Sequence, residues 1–182
     1  MEDYTDKELV RLFREGSNPG YAFNLIVRKY QEKLYWHIRK LLVSHADTDD
    51  TLQVVFIKAF QSLPEFREES SLYTWLYRIA TNEALTLLKK RKIRQYLSLE
   101  DIGTYLEKTL EADPYSDGDV VKMKLQKAIF RLPEKQRIVF NMKYFDEMKY
   151  EDMSEILRTS VGALKASYHH AVKKIEKFIQ ED

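Results

Sequence analysis

The 182-residue chain has no cysteine, five glycines and four prolines. It also has no apolar run near the ~18 residues of a membrane span. Without cysteine there are no disulfides and no thiolate metal site, which fits a reducing compartment. Few glycines and prolines leave long segments free to be helical, and no useful stretch of period-2 alternation points to strands. The chain also lacks internal repeats, a glycine-rich phosphate loop, a nucleophile–base pair and a ligand cluster. These absences predict a protein that is not an enzyme, with no catalytic residue, cofactor or metal. The N-terminal MEDYTDKELV is acidic and amphipathic, unlike a secretory signal, so a cytoplasmic protein with no membrane insertion of its own is expected.

What is present is 44% hydrophobic residues, enough for folded cores, and charge in blocks. Residues 1–95 hold 16 Lys and Arg against 13 acids, 96–119 hold one Lys against seven acids, and 120–182 hold 13 against nine. Two mildly basic blocks are joined by an acidic connector, which also carries the turn signals Asp113-Pro114 and Asp117-Gly118. The expected architecture is all-α. Two small helical domains (1–95 and 120–182) flank an acidic linker (96–119), and the C-terminal domain is a helix-turn-helix.

Thr5 and Glu8 form a capping box, with Tyr4 and Leu9 placed for a hydrophobic staple. A helix to about Glu15 and a turn at Gly16–Gly20 follow. A long helix from about Tyr21 to Val43 carries Phe23, Ile26, Tyr30, Leu34, Ile38 and Leu41 at helical spacing. Its aromatics Phe23, Tyr30, Tyr35 and Trp36 are expected in the core. Ser44–Thr48 reads as a break, with Asp47 or Thr48 capping a helix that Pro64 ends near Leu63.

The stretch from Phe66 to Arg94 then gives a polar loop, a cap at Ser70 or Ser71, and a helix ending in Lys89, Lys90, Arg91, Lys92 and Arg94. Leu72, Leu76, Ile79, Ala80 and Leu87 fall on one side, with Glu83 awkwardly among them. Thr74, Arg78, Asn82 and Lys89 fall on another, with Trp75 at its border. Aromatics, short hydrogen-bonding groups and cations on one face suit a nucleic-acid strand. An ordinary core helix with a solvated end accounts for the same pattern.

In the C-terminal block Asp119 is placed to cap a helix through Leu132, and Pro133 fits the first turn of the next, Glu134–Phe145. A short helix, Tyr150–Leu157, a turn at Arg158-Thr159 and a helix capped by Ser160 follow. This is the pattern of a helix-turn-helix, whose second helix enters the major groove. His169 and His170 are adjacent, hence about 100° apart on the helix and a poor chelating pair. Asp47, Asp49 and Asp50 lack the glycine and distal Glu of a calcium loop.

LPEKQRIVFNMKYFDEMKYEDMSEILRTSVGALKASYHHAVKKI resembles the C-terminal domain of bacterial RNA polymerase sigma factors of the extracytoplasmic-function (ECF) group. FNLIVRKYQEKLYWHIRKLL and DTDDTLQVVFIKAFQSLPEFREESSLYTWLYRIATNEALTLLKKRK resemble its N-terminal domain, in the family's order. The resemblance implies a transcription initiation factor that binds core polymerase, reads the −35 promoter element with its C-terminal domain and melts the −10 element with its N-terminal one. It implies docking on the clamp helices of the largest polymerase subunit by Asp47, Asp49, Asp50, Gln53 and Phe56. It implies −10 contacts by Phe66, Arg67, Ser70, Ser71, Thr74, Trp75, Arg78, Asn82, Lys89, Lys90 and Arg91, the Phe66–Ser71 loop receiving a flipped base. Duplex −35 contacts fall to Arg158, Ser160, Gly162, Ala163, Lys165, Ser167, His169, His170 and Lys173. The implied partners are core polymerase, promoter DNA both duplex and melted, and an anti-sigma factor.

The chain departs from the family pattern at several places. Glu68 and Arg158 stand where glycine is usual, Val54 where an acid is common, Thr81 where Arg is frequent, and Lys149 where a Ser cap is frequent. Ser167 and His170 replace two arginines of the recognition helix, and Arg is the strongest reader of guanine. Two other readings are a stand-alone helix-turn-helix regulator, which leaves 21–95 without a role, and a degenerate module held by a partner.

Overall fold

The computed structural model describes residues 4–95, 99–112 and 120–181, and these are helical throughout apart from their connections. Helix α1 (Asp6–Glu15) starts at the predicted box: Thr5 Oγ1 accepts from the Glu8 amide at 3.3 Å, and Glu8 Oε2 accepts from the Thr5 amide at 2.7 Å. The Thr5 hydroxyl, which donates to Glu8 Oε2 at 2.7 Å, and then the Thr5 amide hold the Glu8 carboxyl below its ordinary pKa.

Helix α2 (Pro19–Leu42) begins earlier than the apolar spacing predicts, because Asn18 accepts from the Tyr21 amide and Pro19 occupies the first turn. Val43 ends it at φ 66°, and the Ser44 amide bonds back to the Leu42 carbonyl at 2.8 Å. The break before helix α3 (His45–Ser62) is therefore only two residues long, and its cap is Ser44, not Asp47 or Thr48. Thr48 is buried, with its hydroxyl donating to the Ser44 carbonyl. A 3-10 turn, Leu63–Glu65, carries Pro64 and leads into the loop before α4 (Leu72–Gln95), whose cap is Ser71. The connector contains a helix not foreseen in the sequence, α5 (Leu99–Glu111).

Helices α6 (Val120–Phe130), α7 (Glu134–Tyr144), α8 (Tyr150–Leu157) and α9 (Val161–Glu181) follow close to their predicted spans. Pro133 is the residue before α7 rather than its first turn. The expected cap Asp119 lies outside the described residues.

Leu34, Ile38, Leu41 and Leu42 of α2 are buried against Val55 and Ala59 of α3 and Leu76, Ala80 and Ala84 of α4. Phe13, Phe23, Phe56 and Phe60 meet edge to face at one end, Phe23 and Phe60 with centroids 5.1 Å apart. Trp36, expected in this core, is 53% exposed. It lies about 200° around the helix from Leu34, outside the buried arc. The apolar cluster does not stop at the first block: Met142, Met148, Met153, Ile156 and Leu164 belong to it too. Helix α8 packs on α4 and α7 on α2. A separate small cluster joins Ile129, Leu132, Phe140, Ala171 and Ile175.

Glu68 (φ 57°) and Arg158 (φ 51°) both sit in left-handed backbone, the two places where the sequence departs from an expected glycine. Arg158→Gly is expected to stabilise the fold by up to about 1 kcal/mol, read as a Tm rise of about 2–4 °C. Glu68→Gly gains less, since it also removes the 2.9 Å pair between Arg14 Nη1 and Glu68 Oε1. Equal effects, or a loss at Arg158, would refute the strain argument.

Candidate nucleic-acid and polymerase interfaces

The loop entering α4 is fixed from below. Arg14 pairs with Glu68 and donates to the Phe66 carbonyl, so α1 sets the loop's height over α4. Phe66 then turns inward onto Trp75, ring centroids 5.0 Å apart at 41°. Both rings are buried, so Trp75 is not on the outward border of the helix as its spacing suggests. They form the floor of an open cleft of about 520 Å³, whose rim is Ser62, Glu65, Arg67, Glu69, Ser70 and Arg78. Glu155 of α8 also lines it.

Along α4, Asn82, Lys89 and Lys90 are exposed and Arg78 is half-buried. Thr74 is not available as a surface contact: it is buried, shares a hydrogen bond with Ser71 Oγ and donates to Asp152 Oδ1 of α8 at 3.2 Å. Arg91 is paired with Asp47 of α3. The side chains of Lys92 and Arg94 lie outside the described residues. Glu83, awkward on its arc, is accounted for by Lys58, which pairs with it at 2.6 Å.

The acids of α3 are therefore unequal. Asp47 is engaged by Arg91, and Asp49 lies 3.4 Å from His45 Nε2. Asp50 and Gln53 are exposed, beside the exposed side chains of Val54, Ile57 and Phe60. Phe56 faces inward and meets Phe23 edge to face. Asp47, Asp50, Thr51 and Val54 form one wall of a cleft of about 240 Å³ whose other wall is Glu83, Thr86, Leu87 and Lys90 of α4.

In the C-terminal block Arg158 makes the left-handed turn between α8 and α9, and Ser160 Oγ accepts from the Ala163 amide at 3.3 Å. Gly162, Ala163, Lys165, His169, His170 and Lys173 are exposed, and Ser167 is half-exposed. A side chain at Gly162 would meet nothing within 4 Å, so its absence leaves the helix start open to close approach rather than serving internal packing. The His169 and His170 rings are tilted at 60° with centroids 6.0 Å apart.

One polar cluster is not foreseen as a cluster from the sequence, although it includes Thr81. His37 is 1% exposed on the apolar arc of α2. Its Nε2 is 2.9 Å from Thr81 Oγ1 of α4, and its Nδ1 is 2.8 Å from Asp146 Oδ2, just past α7. The other Asp146 oxygen accepts from Lys40 Nζ. Burial works to raise the Asp146 pKa, but the contacts from His37 and Lys40 outweigh it and hold the carboxyl below its usual range. An ionised carboxylate only accepts, so Nδ1 of His37 carries the proton it donates. Asn141 Nδ2 donates to the Lys40 carbonyl at 3.4 Å beside it. The signal in the sequence was a histidine on an otherwise apolar helix arc, which implies a buried partner; nothing local says that the partner lies 109 residues away.

Helical throughout its described residues, with α8, the left-handed turn at Arg158 and the capped, solvent-facing α9 in succession, the chain carries a helix-turn-helix. Residues 26–93 match Sigma-70 region 2, and residues 122–175 match Sigma-70 region 4. The ECF RNA polymerase sigma-E factor of Haemophilus influenzae is 34% identical, over 98% of this chain and 97% of its own. The ECF sigma factor SigW of Bacillus subtilis is 31% identical, over 96% and 97%. Among solved structures, CnrH in complex with the cytosolic domain of CnrY superposes with a TM-score of 0.72 at 18% identity, over 97% of this chain and 98% of that one. RpoE of Bartonella quintana in complex with the anti-sigma factor NepR gives 0.66 at 20%, over 88% and 98%.

The chain belongs to the ECF group of bacterial RNA polymerase sigma factors. It is a transcription initiation factor. Among the described residues no helix is long and apolar enough to cross a membrane.

Proposed function

We propose that residues 1–95 dock on the clamp helices of core polymerase and melt the −10 element, and that residues 120–182 read the −35 duplex. The observation that carries this is the cleft floored by Phe66 and Trp75, with Arg67 and Arg78 on its rim and exposed Asn82 further along α4. Extruding a base costs a few kcal/mol, and stacking it on an aromatic surface returns about 1–3 kcal/mol. Strand separation therefore needs captured bases and held phosphates rather than a catalytic group. Lys89 and Lys90 lie about 16 Å beyond Arg78 along the helix, in reach of the adjoining backbone. Thr74 acts from within, by capping α4 with Ser71.

At the other end, the exposed first turn of α9 offers free backbone N–H groups to phosphate. Lys165, His169, His170 and Lys173 face the groove. With Ser167 and His170 in place of arginines, the N-terminal surface carries the larger share of promoter selection. An anti-sigma factor is proposed as the regulator, as NepR is the partner of the Bartonella protein.

The test is to add the protein to core polymerase and map transcripts on genomic DNA. Initiation at defined start sites is the expected result; sequence-specific operator binding without polymerase would favour a stand-alone regulator. In the same assay Asn82→Ala is expected to lower open-complex formation about tenfold, on the scale of one lost base contact, with closed-complex binding little changed. Equal losses in both would refute the strand-facing role of Asn82.

A further inference from the structure

Two exposed side chains of α2, Lys33 and Trp36, take no part in the core or in the interfaces assigned to DNA and polymerase. Trp36 has Tyr35 as its only ring contact among the described residues. Spacings of three and four residues put Lys33, Trp36 and Lys40 on one ridge of the helix. The ridge forms one wall of a cleft of about 460 Å³, within the range of small-molecule sites, about 300–1,000 Å³. Tyr73 and Tyr77 of α4 form the second wall, their ring centroids 4.3 Å apart at 35°. Phe145 and Asp146, just past α7, form the third. The two ends of the cleft differ in polarity. At one end the Lys33 ammonium has no ion pair among the described residues, whereas Lys29, one turn further out, is held by Asp6 at 2.9 Å. At the other end Asp146 and Lys40 lie side by side. Burial works to raise the Asp146 pKa, yet His37 and Lys40 keep the carboxyl ionised. Each of its oxygens has one of these partners, and a carboxylate offers about four lone-pair sites, so both can accept again. The Lys40 ammonium has donors to spare beside it.

We infer that this cleft binds a free guanine nucleotide, with its base against Trp36 and the tyrosine wall, its Watson–Crick edge on Lys40 and Asp146, and its phosphate at Lys33. The edge decides the base. Guanine presents the acceptor O6 beside two adjacent N–H donors, on N1 and N2. Two parallel N–H bonds onto a carboxylate are a strong and directional pair, and an ammonium next to that carboxylate meets O6. Adenine has a single donor group on that edge, its 6-amino, and leaves one Asp146 oxygen without a ligand bond. The span decides the size. Lys33 and Lys40 are seven residues apart, about 10 Å of helix, which is room for one nucleotide. Ligand sites favour the seams between structural blocks, and this one draws its walls from α2, from α4 and from the turn after α7. A nucleotide that needs all three walls favours the form in which they meet, by the difference in its affinity for the two forms. Lys33 and Trp36 have no part in the −10 assignment, so the site does not rest on it.

Isothermal titration calorimetry on the full chain, without polymerase or DNA, tests this with GMP, AMP, guanosine and inorganic phosphate. GMP should bind at one per chain and about tenfold more tightly than AMP, the scale of one lost base-edge contact. Guanosine and phosphate, each carrying half of the recognition, should both bind more weakly than GMP. Trp36→Ala should weaken GMP about tenfold, as removal of a stacking surface does, and Lys33→Ala should bring GMP down to the affinity of guanosine. Both side chains are exposed, so these variants keep the fold. No saturable binding of GMP up to about 1 mM, or binding unchanged in Trp36→Ala, overturns the site. AMP binding as tightly as GMP overturns the reading of the base. A guanine-containing RNA strand that displaces GMP and binds more tightly than GMP assigns the cleft to a strand, and overturns a free nucleotide as its occupant. Each of these failures leaves the proposed function standing, because that is read separately from initiation at defined start sites.

Discussion

Reversing Asp50 to Lys together with Gln53→Ala is expected to weaken binding to core polymerase at least 30-fold, the scale of losing a central interface contact of about 2 kcal/mol or more. Both side chains are exposed on α3, so the fold should be untouched. They flank the exposed apolar side chains of Val54 and Ile57, a polar edge beside an apolar patch of the kind that interfaces use. The charge reversal should also weaken the salt dependence of association, because a long-range attraction has been removed. Asp47 supplies the contrast. Its carboxylate is held by Arg91, so Asp47→Ala should disturb the α3–α4 contact more than docking. Binding within threefold of wild type for the double variant would remove this face from the docking surface.

Trp75→Ala is expected to cost about 3–5 kcal/mol of stability, the range for deleting a buried large aromatic. Trp75 is 8% exposed, and its removal takes the support from under Phe66 as well. Trp75→Phe keeps a ring against Phe66 and should recover much of the loss. If the ring also serves as the stacking floor for a flipped base, promoter opening at a temperature where Trp75→Phe is fully folded should still fall below wild type. Thermal denaturation separates the two contributions; an alanine variant as stable as wild type would contradict the buried position.

How far the sequence discloses this molecule depends on the distance over which each feature is decided. The capping box at Thr5 and Glu8, the Ser160 cap and the helix-turn-helix spans are decided within a few residues and stand as expected, and of the two caps open for α4 it is Ser71 that serves. The two left-handed positions, Glu68 and Arg158, were marked by a departure from the glycine expected there. The errors fall where a distant element decides. Thr74 looks outward on a helical wheel because the wheel has no place for α8, whose Asp152 is 78 residues away, and Trp75 because it has none for the loop that lays Phe66 over it. Membership of a long amphipathic helix suggests a core position for Trp36, but the arc through Tyr30, Leu34, Ile38 and Leu41 leaves it outside. The three acids of α3 are neighbours in sequence, yet Arg91 pairs with Asp47 and His45 lies within reach of Asp49, contacts that the sequence alone does not show.

The connector adds a matter of length. Helix α5 holds 13 residues of it, packs against α6, buries Leu106, and is tied by Glu111 to Lys127 at 2.6 Å and by Glu107 to Arg131 at 3.0 Å. As helix those residues span about 20 Å; drawn out they reach about 43–47 Å. The ties are surface ion pairs of the kind worth at most about 1 kcal/mol each, so unravelling this one helix is a mild demand. It would release some 25 Å of chain, letting the two DNA-reading ends move apart to fit a promoter spacer while each keeps its own fold.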